Sequence, residues 1–369
     1  MRGTGRQEDE AIGLPRAAEV VLPCTELRET LAFFTERLGF RVDAIAPADD
    51  PSIAVVSAYG LRVRLVRTDA GGAPGVLRLL CADPAAFADG ATELVAPNGT
   101  RIEIAHADPP LVMPPAQPSF VITRANDCGW IEGRAGMRYA DLVPDRQAGR
   151  LIASRIQIAD AGPVPDYVHF HRVRFQMIYC VKGWVKVVYE DQGAPFVLHP
   201  GDCVLQAPEI RHRVLESSAG LEVLEIGSPA HHETCADHEL ALPTPELRPE
   251  RLFGGQRFVR HQAARAAWRP ADRKGFTSRD TSITDATSGL ASVRVIRGEG
   301  STARDVVELR AHDDELLFGF VLAGGVTLRC ADRADAILGG GDAFVVPRAM
   351  KHALTAPTHD VELLELVMH

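Results

Sequence analysis

Residues 162–183, GPVPDYVHFHRVRFQMIYCVKG, decide the fold of the chain. Apolar and polar residues alternate around His169 and His171, which is the period of a β-strand, so both imidazoles face the same side. Gln176 opens a second strand, and a hairpin of this kind brings its carboxamide to that side. A third imidazole, His212, follows a turn and a short strand. Three imidazoles and a carboxamide on one face predict a metal site.

The spacing of these residues resembles the two signature motifs of the cupin superfamily. The motifs are approximately G-x5-H-x-H-x3-4-E-x6-G and G-x5-P-x-G-x2-H. The matching residues are Gly162, His169, His171, Gln176 and Gly183, followed by Gly201, Pro208 and His212. Gln176 stands where the family usually has Glu, and the glycine after the proline of the second motif is missing. The resemblance implies a small antiparallel β-barrel that binds a metal through His169, His171, Gln176 and His212.

The neutral side chain of Gln176 has a chemical consequence. An amide oxygen adds no charge, so a divalent ion keeps a formal +2 where a Glu ligand would leave +1, and the site favours an anionic oxygen. Alternatively, Gln176 orients a bound water or O2 beside a three-histidine site. Candidate catalytic residues are Gln176, Glu209 and Tyr167, because the motif carboxylate is missing as a base. Arg155 and Gln157 share a strand face and are candidate substrate-binding residues.

A second copy of the barrel is predicted in the last third of the chain. The intervals between motif residues are 12, 18 and 11 in the first copy and 12, 17 and 11 in the second. These residues are His171, Gly183, Gly201 and His212, then His312, Gly324, Gly341 and His352. In this alignment Arg310 replaces His169 and Leu317 replaces Gln176. Only His312 and His352 remain as a second candidate site, so we expect a degenerate barrel that serves as a packing or dimer partner.

Residues 17–107 are predicted to form a separate domain with a β-α-β-β-β order and an abbreviated second round. The first-round elements are strands at 19–22, 40–46, 53–58 and 61–67 and a helix from Leu27 to Leu38. This order, with Leu38-Gly39-Phe40 and the ending PNGTRIE at 97–103, resembles the vicinal-oxygen-chelate family that includes glyoxalase. Glu103 matches the last metal-ligand position of that family and Glu19 roughly the first. Two carboxylates are too few donors, so we expect a metal-free domain.

The predicted fold class is therefore mainly β, with two cupin β-barrels preceded by an α+β glyoxalase-like βαβββ domain. The proline-rich residues 108–118 are a stiff linker. The predicted organisation is a disordered tail at 1–16, the chelate-like domain at 17–107, the linker at 108–118, the first cupin at 119–235, a connector at 236–270 with a helix around 256–268, and the second cupin at 271–369.

Composition limits the function further. The chain has 369 residues, 46% of them hydrophobic, and a net charge of −9 without a basic run, so nucleic acid is not an expected partner. No segment has the roughly 18 consecutive apolar residues of a membrane span, and no signal peptide is evident. The seven cysteines form no C-x-x-C pair, which fits reduced thiols in the cytoplasm.

The resemblance implies a metal-dependent bicupin enzyme acting on a small anionic or enolisable molecule. The first expectation is a mononuclear non-haem dioxygenase for a small enolisable or hydroxylated organic acid or aromatic, similar to quercetinase-like bicupins. The first alternative is an isomerase that shifts a double bond in a keto acid, as in the bacilysin pathway. The second is a non-catalytic binding or sensor protein. Fe(II) is the expected metal, with Ni, Mn, Cu, Co or Zn as alternatives; no organic cofactor is expected, and self-association as a homodimer is.

Overall fold

The computed structural model describes residues 15–37, 39–58, 60–68, 76–95, 101–273, 275–299 and 308–369. Most of the expected tail and residues 97–100 of the chelate-like ending lie outside these residues. The chain divides into two compact units. One comprises the described residues up to Pro47 together with Pro51–Val112, and the other comprises Ala48–Asp50 and Met113–His369. Among the described residues, no helix is long and apolar enough to cross a membrane.

The N-terminal unit has the β-α-β-β-β order that the sequence predicts, followed by a shorter round. Its elements are β1 (Pro15–Cys24), α1 (Leu27–Ala32), a π-helical turn (Phe33–Arg37), β2 (Arg41–Ala46), β3 (Ile53–Ala58), β4 (Leu61–Arg67), β5 (Val76–Cys81), α2 (Pro84–Ala88), β6 (Glu93–Val95) and β7 (Arg101–His106). β1 begins at Pro15, inside the expected tail, and pairs in parallel with β4 and antiparallel with β5. Leu27 of α1 packs on Val56 and Leu65 of the sheet in a small apolar core.

The first barrel contains two sheets. The elements from residue 121 to residue 261, most of which form this barrel, are β8 (Val121–Thr123), β9 (Ile131–Glu132), a 3-10 turn (Arg134–Gly136), β10 (Arg138–Asp141), α3 (Arg146–Gly149), β11 (Ile152–Ile158), β12 (Gly162–Pro163), β13 (His169–His171), β14 (Phe175–Lys182), β15 (Val185–Tyr189), β16 (Phe196–Leu198), β17 (Cys203–Leu205), β18 (His212–Ser217), β19 (Leu221–Ser228), β20 (Thr234–Ala236), β21 (Leu252–Phe253), β22 (Gln256–Arg257) and β23 (Val259–His261), the last of which is the first strand of the second repeat. The larger sheet has the order β23-β17-β14-β19-β11-β10-β9. Opposite it, β16, β15, β18, β13 and β20 are neighbours in that order.

The second barrel repeats this arrangement. Its elements are a 3-10 turn (Ala263–Arg265), β24 (Arg269–Pro270), β25 (Phe276–Asp280), α4 (Ile283–Ala286), β26 (Ala291–Gly298), β27 (Leu316–Ala323), β28 (Gly325–Cys330), β29 (Ala336–Gly339), β30 (Ala343–Pro347), β31 (His352–Thr355) and β32 (Glu362–Met368). The larger sheet has the order β24-β25-β26-β32-β27-β30-β8, and a second sheet has the order β29-β28-β31. The repeat predicted from the motif spacing is therefore present as a second β-barrel.

The larger sheet of each barrel is buried on both faces. In β14, Phe175, Met177 and Tyr179 pack into a core shared by the two barrels, whereas Ile178 and Cys180 point into the first barrel. Strands buried on both faces need apolar residues at nearly every position, which is why these segments lack clean alternation. Each large side chain buried here contributes roughly 1.5–3 kcal/mol.

The two barrels exchange their first strands. β8 pairs with β30 of the second barrel, and β23 pairs with β17 of the first. The predicted helix around 256–268 is therefore wrong, because Val259–His261 satisfies its backbone hydrogen bonds against Cys203–Leu205. The same symmetry orders the flanking turns. The backbone N–H of Ala263 donates to Asp202 at 2.8 Å, and that of Ala125 donates to Asp342 at 2.9 Å.

Candidate metal centre

Three imidazoles converge inside the first barrel. His169 and His171 lie on β13, and His212 begins β18, which pairs with β13 so that His169 lies opposite His212. The ring centroids of His169 and His212 are 4.3 Å apart, and each of the other two pairs is 5.2 Å apart. One nitrogen from each ring lies within 4.8 Å of the others. In the part of the chain that the structure describes, no other group of three or more His, Cys, Asp or Glu residues is as close.

The hydrogen bonds of the rings fix which nitrogen is available to a ligand. In His169 and His212, Nδ1–H donates to the carbonyl oxygen of the residue two positions earlier, at 2.8 and 2.9 Å. Nδ1 of His171 lies 3.1 Å from the hydroxyl oxygen of Thr234, which can accept its proton. A carbonyl oxygen can only accept, so the lone pairs of His169 and His212 lie on Nε2. Metal-binding histidines are oriented by the same kind of contact.

Burial keeps the three rings neutral. It lowers the pKa of His169 and His171 well below the ordinary value, and it lowers the pKa of His212 to about 4. Neighbouring positive charge from Arg134 acts in the same direction on all three rings. Neutral imidazole is the form that binds a metal, so the rings need not lose protons near neutral pH.

Gln176 points into the first barrel, where a carboxylate holds its carboxamide. It shares the inward face of β14 with Ile178, and its Nε2 donates to Oε1 of Glu225 at 2.7 Å. Its carboxamide oxygen is fully buried and has no hydrogen-bond partner. A buried acceptor without a donor costs free energy unless something binds it, and a cation is one such partner. The donor chemistry of Gln176 therefore fits a metal.

Glu225 is a site residue that the sequence analysis missed. It lies on β19 and lines the cavity in front of the triad. Burial raises the pKa of its carboxyl group, while the N–H of Gln176 and the charge of Arg134 oppose the rise. The only signal in the sequence is a glutamate within the apolar run LEVLEI at 221–226, which also contains Glu222. A carboxyl group with a raised pKa in a cavity is suited to proton transfer.

Arg134 is the second residue that the sequence analysis missed. Its Nη1 donates to Oδ1 of Asp166 at 2.7 Å, and its Nη2 lies 2.6 Å from Nε2 of His169. Burial opposes its charge, but Asp166, together with Tyr139 and Tyr167, holds the pKa of Arg134 above its ordinary value. Because a guanidinium only donates, this contact agrees with a lone pair on Nε2. A metal and Arg134 cannot share that lone pair, so metal binding requires the guanidinium to turn to another acceptor.

The cavity in front of the triad is small and mostly apolar. Its volume is about 80 Å³, roughly half of the ~150 Å³ cavity that holds benzene in an engineered protein. Aliphatic side chains from both sheets form most of the wall, and the polar residues besides the triad are Arg134, Tyr139, Tyr189, Gln206 and Glu225. A cavity of this size admits a molecule of only a few non-hydrogen atoms.

Four residues predicted for the site lie elsewhere. Arg155 is ion-paired with Glu222 at 2.7 Å, and Gln157 shares its face of β11; the alternate residues Ile156 and Ile158 line the cavity instead. Strand alternation therefore places both polar side chains outside the barrel.

Tyr167 and Glu209 also lie outside the cavity wall. The Tyr167 carbonyl oxygen orients His169, while its ring packs edge-on against that imidazole at 5.9 Å. Glu209 is exposed and has a positive φ of 61°. Tyr167 therefore packs against the triad from outside the cavity, and the exposed Glu209 carboxylate does not line the cavity.

The second barrel pairs two imidazoles. The rings of His312 and His352 are 5.9 Å apart, and Nε2 of His312 lies 3.1 Å from the Val346 carbonyl oxygen. Arg310 is paired with the exposed Glu308. Leu317 is buried in the barrel core at the position of Gln176. The two carboxylates predicted in the N-terminal unit are also engaged: Glu19 with Arg62 and Arg64, and Glu103 with Arg78.

Comparisons with known proteins agree with this architecture. No family model matches the chain, and no curated protein matches it. Among solved structures, an oxalate decarboxylase OxdC mutant from Bacillus subtilis has a TM-score of 0.50 and 12% identity, over 71% of this chain and 78% of that one. The chain has a bicupin fold. The bicupin fold accounts for the repeat and for the exchanged strands, whereas 12% identity indicates nothing about the reaction. Protein Ylba from E. coli has a TM-score of 0.47 and 9% identity, over 71% of this chain and 94% of that one.

Proposed function

We propose that this bicupin is a metal-dependent enzyme that acts on a small enolisable acid. The observation that carries the proposal is the convergence of three neutral imidazoles on a small cavity whose wall also holds Glu225. His169, His171 and His212 would hold a divalent ion through Nε2, with the carboxamide oxygen of Gln176 beside them. Three imidazole nitrogens with the oxygens of Gln176 and substrate favour a borderline to hard ion, with Fe(II) as the first expectation.

The bound ion supplies Lewis acidity toward a substrate oxygen. The chain supplies the remaining functions. Glu225 moves a proton between the substrate carbon and its own carboxyl oxygen, because burial raises its pKa toward the range of an efficient acid and base. Gln176 holds that carboxyl group in place through its N–H. The apolar wall excludes water and so strengthens each of these electrostatic interactions.

Two reaction classes use these groups. A proton carrier beside the triad favours an isomerase that moves a double bond in a keto acid, because such a shift needs one carboxyl group to take and return a proton. The dioxygenase stays the alternative, since three imidazoles leave coordination positions open for O2. A binding or sensor protein would use the same cavity without turnover.

The first experiment is elemental analysis of protein purified without added metal. We expect about one equivalent of a divalent transition metal per chain. Turnover of small keto acids and diketones is then followed in an oxygen electrode and by NMR. Product formation without oxygen uptake identifies the isomerase, and uptake with each turnover identifies the dioxygenase. Metal-loaded protein that binds these compounds but converts none would indicate a sensor, and protein without metal under metal-replete conditions would contradict the proposal.

Other assignments stay predictions. We propose that the N-terminal unit is a metal-free, glyoxalase-like cover or structural domain, because Arg62 and Arg64 already neutralise Glu19. A homodimer and a cytoplasmic location are also proposals, to be tested by sedimentation and by fractionation.

A further inference from the structure

The two barrels carry an arginine and a glutamate at equivalent positions. Glu225 lies opposite Ser154 on β11, and Glu365 lies opposite Arg294 on β26. Arg134 lies seven residues before Asp141, which ends β10, the strand that pairs with β11. Arg273 lies seven residues before Asp280, which ends β25, the strand that pairs with β26. Each barrel thus has one position for a guanidinium and one for a carboxylate, and these positions correspond between the two barrels.

In the second barrel, the side chains at these two positions form an ion pair. Nη2 of Arg273 lies 3.2 Å from Oε2 of Glu365, and Nε of Arg294 lies 2.7 Å from Oε1. Glu365 is 1% exposed, and the two guanidinium groups neutralise it. The chain itself therefore demonstrates that a guanidinium at this position binds a carboxylate inside the barrel.

In the first barrel, the two groups are separate. The structure describes both Arg134 and Glu225 and records no ion pair between them, although both line the cavity. Ser154 replaces the second guanidinium, and its buried hydroxyl has no hydrogen-bond partner. Among the described residues, no arginine or lysine forms an ion pair with Glu225 as Arg294 does with Glu365. Arg134 and Glu225 occupy the positions of Arg273 and Glu365, but they line a cavity instead of forming an ion pair.

We propose that Arg134 binds the carboxylate of the substrate and selects small monocarboxylates. This inference rests on the proposed function of the same cavity. Among the described residues that line the cavity, Arg134 is the only Arg or Lys. A second carboxylate on the substrate would meet Glu225 or the aliphatic wall, and either contact costs free energy. A single carboxylate with a short apolar or oxo-bearing remainder fits.

Asp166 prepares Arg134 for this role. Its Oδ1 accepts from Nη1 of Arg134, while its Oδ2 accepts from the backbone N–H of Val214 at 2.9 Å. These two hydrogen bonds of Asp166 fix one edge of the Arg134 guanidinium. A guanidinium has five N–H donors, so the contact with His169 can be exchanged for a substrate carboxylate while the contact with Asp166 is kept.

The test is calorimetric binding of pyruvate, pyruvamide and oxalate to the protein as purified, with metal content measured on the same samples. Wild-type protein should bind pyruvate at least about tenfold more tightly than pyruvamide, because a charge-assisted hydrogen bond is lost with the amide. Arg134→Gln, which keeps a donor for Asp166, should weaken pyruvate binding by at least about tenfold and abolish the preference over the amide. Arg273→Gln is the matched control and should bind pyruvate as the wild type does.

Circular dichroism checks that each variant is folded. Arg134→Lys is the second variant, and it should weaken pyruvate binding about fivefold because an ammonium cannot bind a carboxylate through two parallel hydrogen bonds. Unchanged affinity in a folded Arg134 variant, or equal loss in Arg273→Gln, would overturn the inference, as would oxalate binding more tightly than pyruvate. Arg134-dependent binding in protein that contains no metal would support the inference and contradict the proposed function, so the two are separable.

Discussion

The amide of Gln176 donates to the carboxylate of Glu225 at 2.7 Å, and this contact joins the sequence motif to a residue outside it. The family motif usually has a glutamate at position 176. In this chain, position 176 holds a neutral carboxamide, and the carboxyl group of Glu225 approaches it from the neighbouring strand β19. The cavity wall therefore holds an acidic group, Glu225, on a strand that lies outside the sequence motif.

Glu225→Gln should abolish most turnover while leaving the metal bound. General acid–base catalysis contributes roughly 10²–10⁴-fold, so we expect a fall in kcat of that size. The measurement is steady-state turnover together with elemental analysis. Glu209→Gln is a matched control, because Glu209 is an exposed carboxylate close to His212 in the sequence. Similar losses in both variants would show that Glu225 has no special role.

Gln176→Glu tests the neutral side chain. The substitution restores the usual family residue and should keep the metal, because a carboxylate is a good ligand. It also replaces the N–H that holds Glu225 with an acceptor and places two acidic groups side by side. We expect turnover to fall at least about tenfold, which corresponds to about 1.4 kcal/mol of lost transition-state stabilisation. Wild-type turnover with normal metal content would refute the argument from charge.

His171→Ala and His212→Ala should each lose about one equivalent of metal per chain and still fold, since two imidazoles hold a metal weakly. His312→Ala is the control from the second barrel and should leave the metal content almost unchanged. Elemental analysis after gel filtration measures both, with circular dichroism as the check of folding. A whole equivalent lost from His312→Ala would instead identify a second site.

The motif residues were predictable because their geometry is local. A His-x-His pair in a strand has both rings on one face, and a turn brings His212 onto the neighbouring strand, so spacing alone predicts their convergence. The repeat of that spacing likewise predicts the second barrel. These inferences need no knowledge of distant contacts.

Other features depend on contacts between segments that are far apart in the chain, and the local sequence pattern does not indicate them. Glu225 lies in a strand buried on both faces, so alternation does not separate it from Glu222, which pairs with Arg155 outside the barrel. Arg134 lies in a short turn far from the motif. The exchanged strand β8 pairs with β30, which is more than two hundred residues away in the chain. The local pattern of Val259–His261 favours a helix, and only its pairing with β17 makes it a strand.

Glu365→Gln should destabilise the protein in a pH-dependent way. Burial raises the pKa of Glu365, but Arg273 and Arg294 outweigh burial and lower it below the ordinary value. A lowered folded-state pKa contributes stability that is present above the unfolded pKa of about 4.5 and is lost as pH falls through the folded value. The substitution leaves two partly exposed guanidinium groups without their buried partner, which costs about 1–3 kcal/mol near neutral pH. Glu362→Gln, on the same strand but in a partly exposed pair with Arg297, should cost about 0–1 kcal/mol.

Urea unfolding followed across the acid range measures the free energy of unfolding of both variants. We expect the difference in this free energy between wild type and Glu365→Gln to narrow below about pH 4.5. A constant difference at every pH would show that the charge of Glu365 does not stabilise the second barrel.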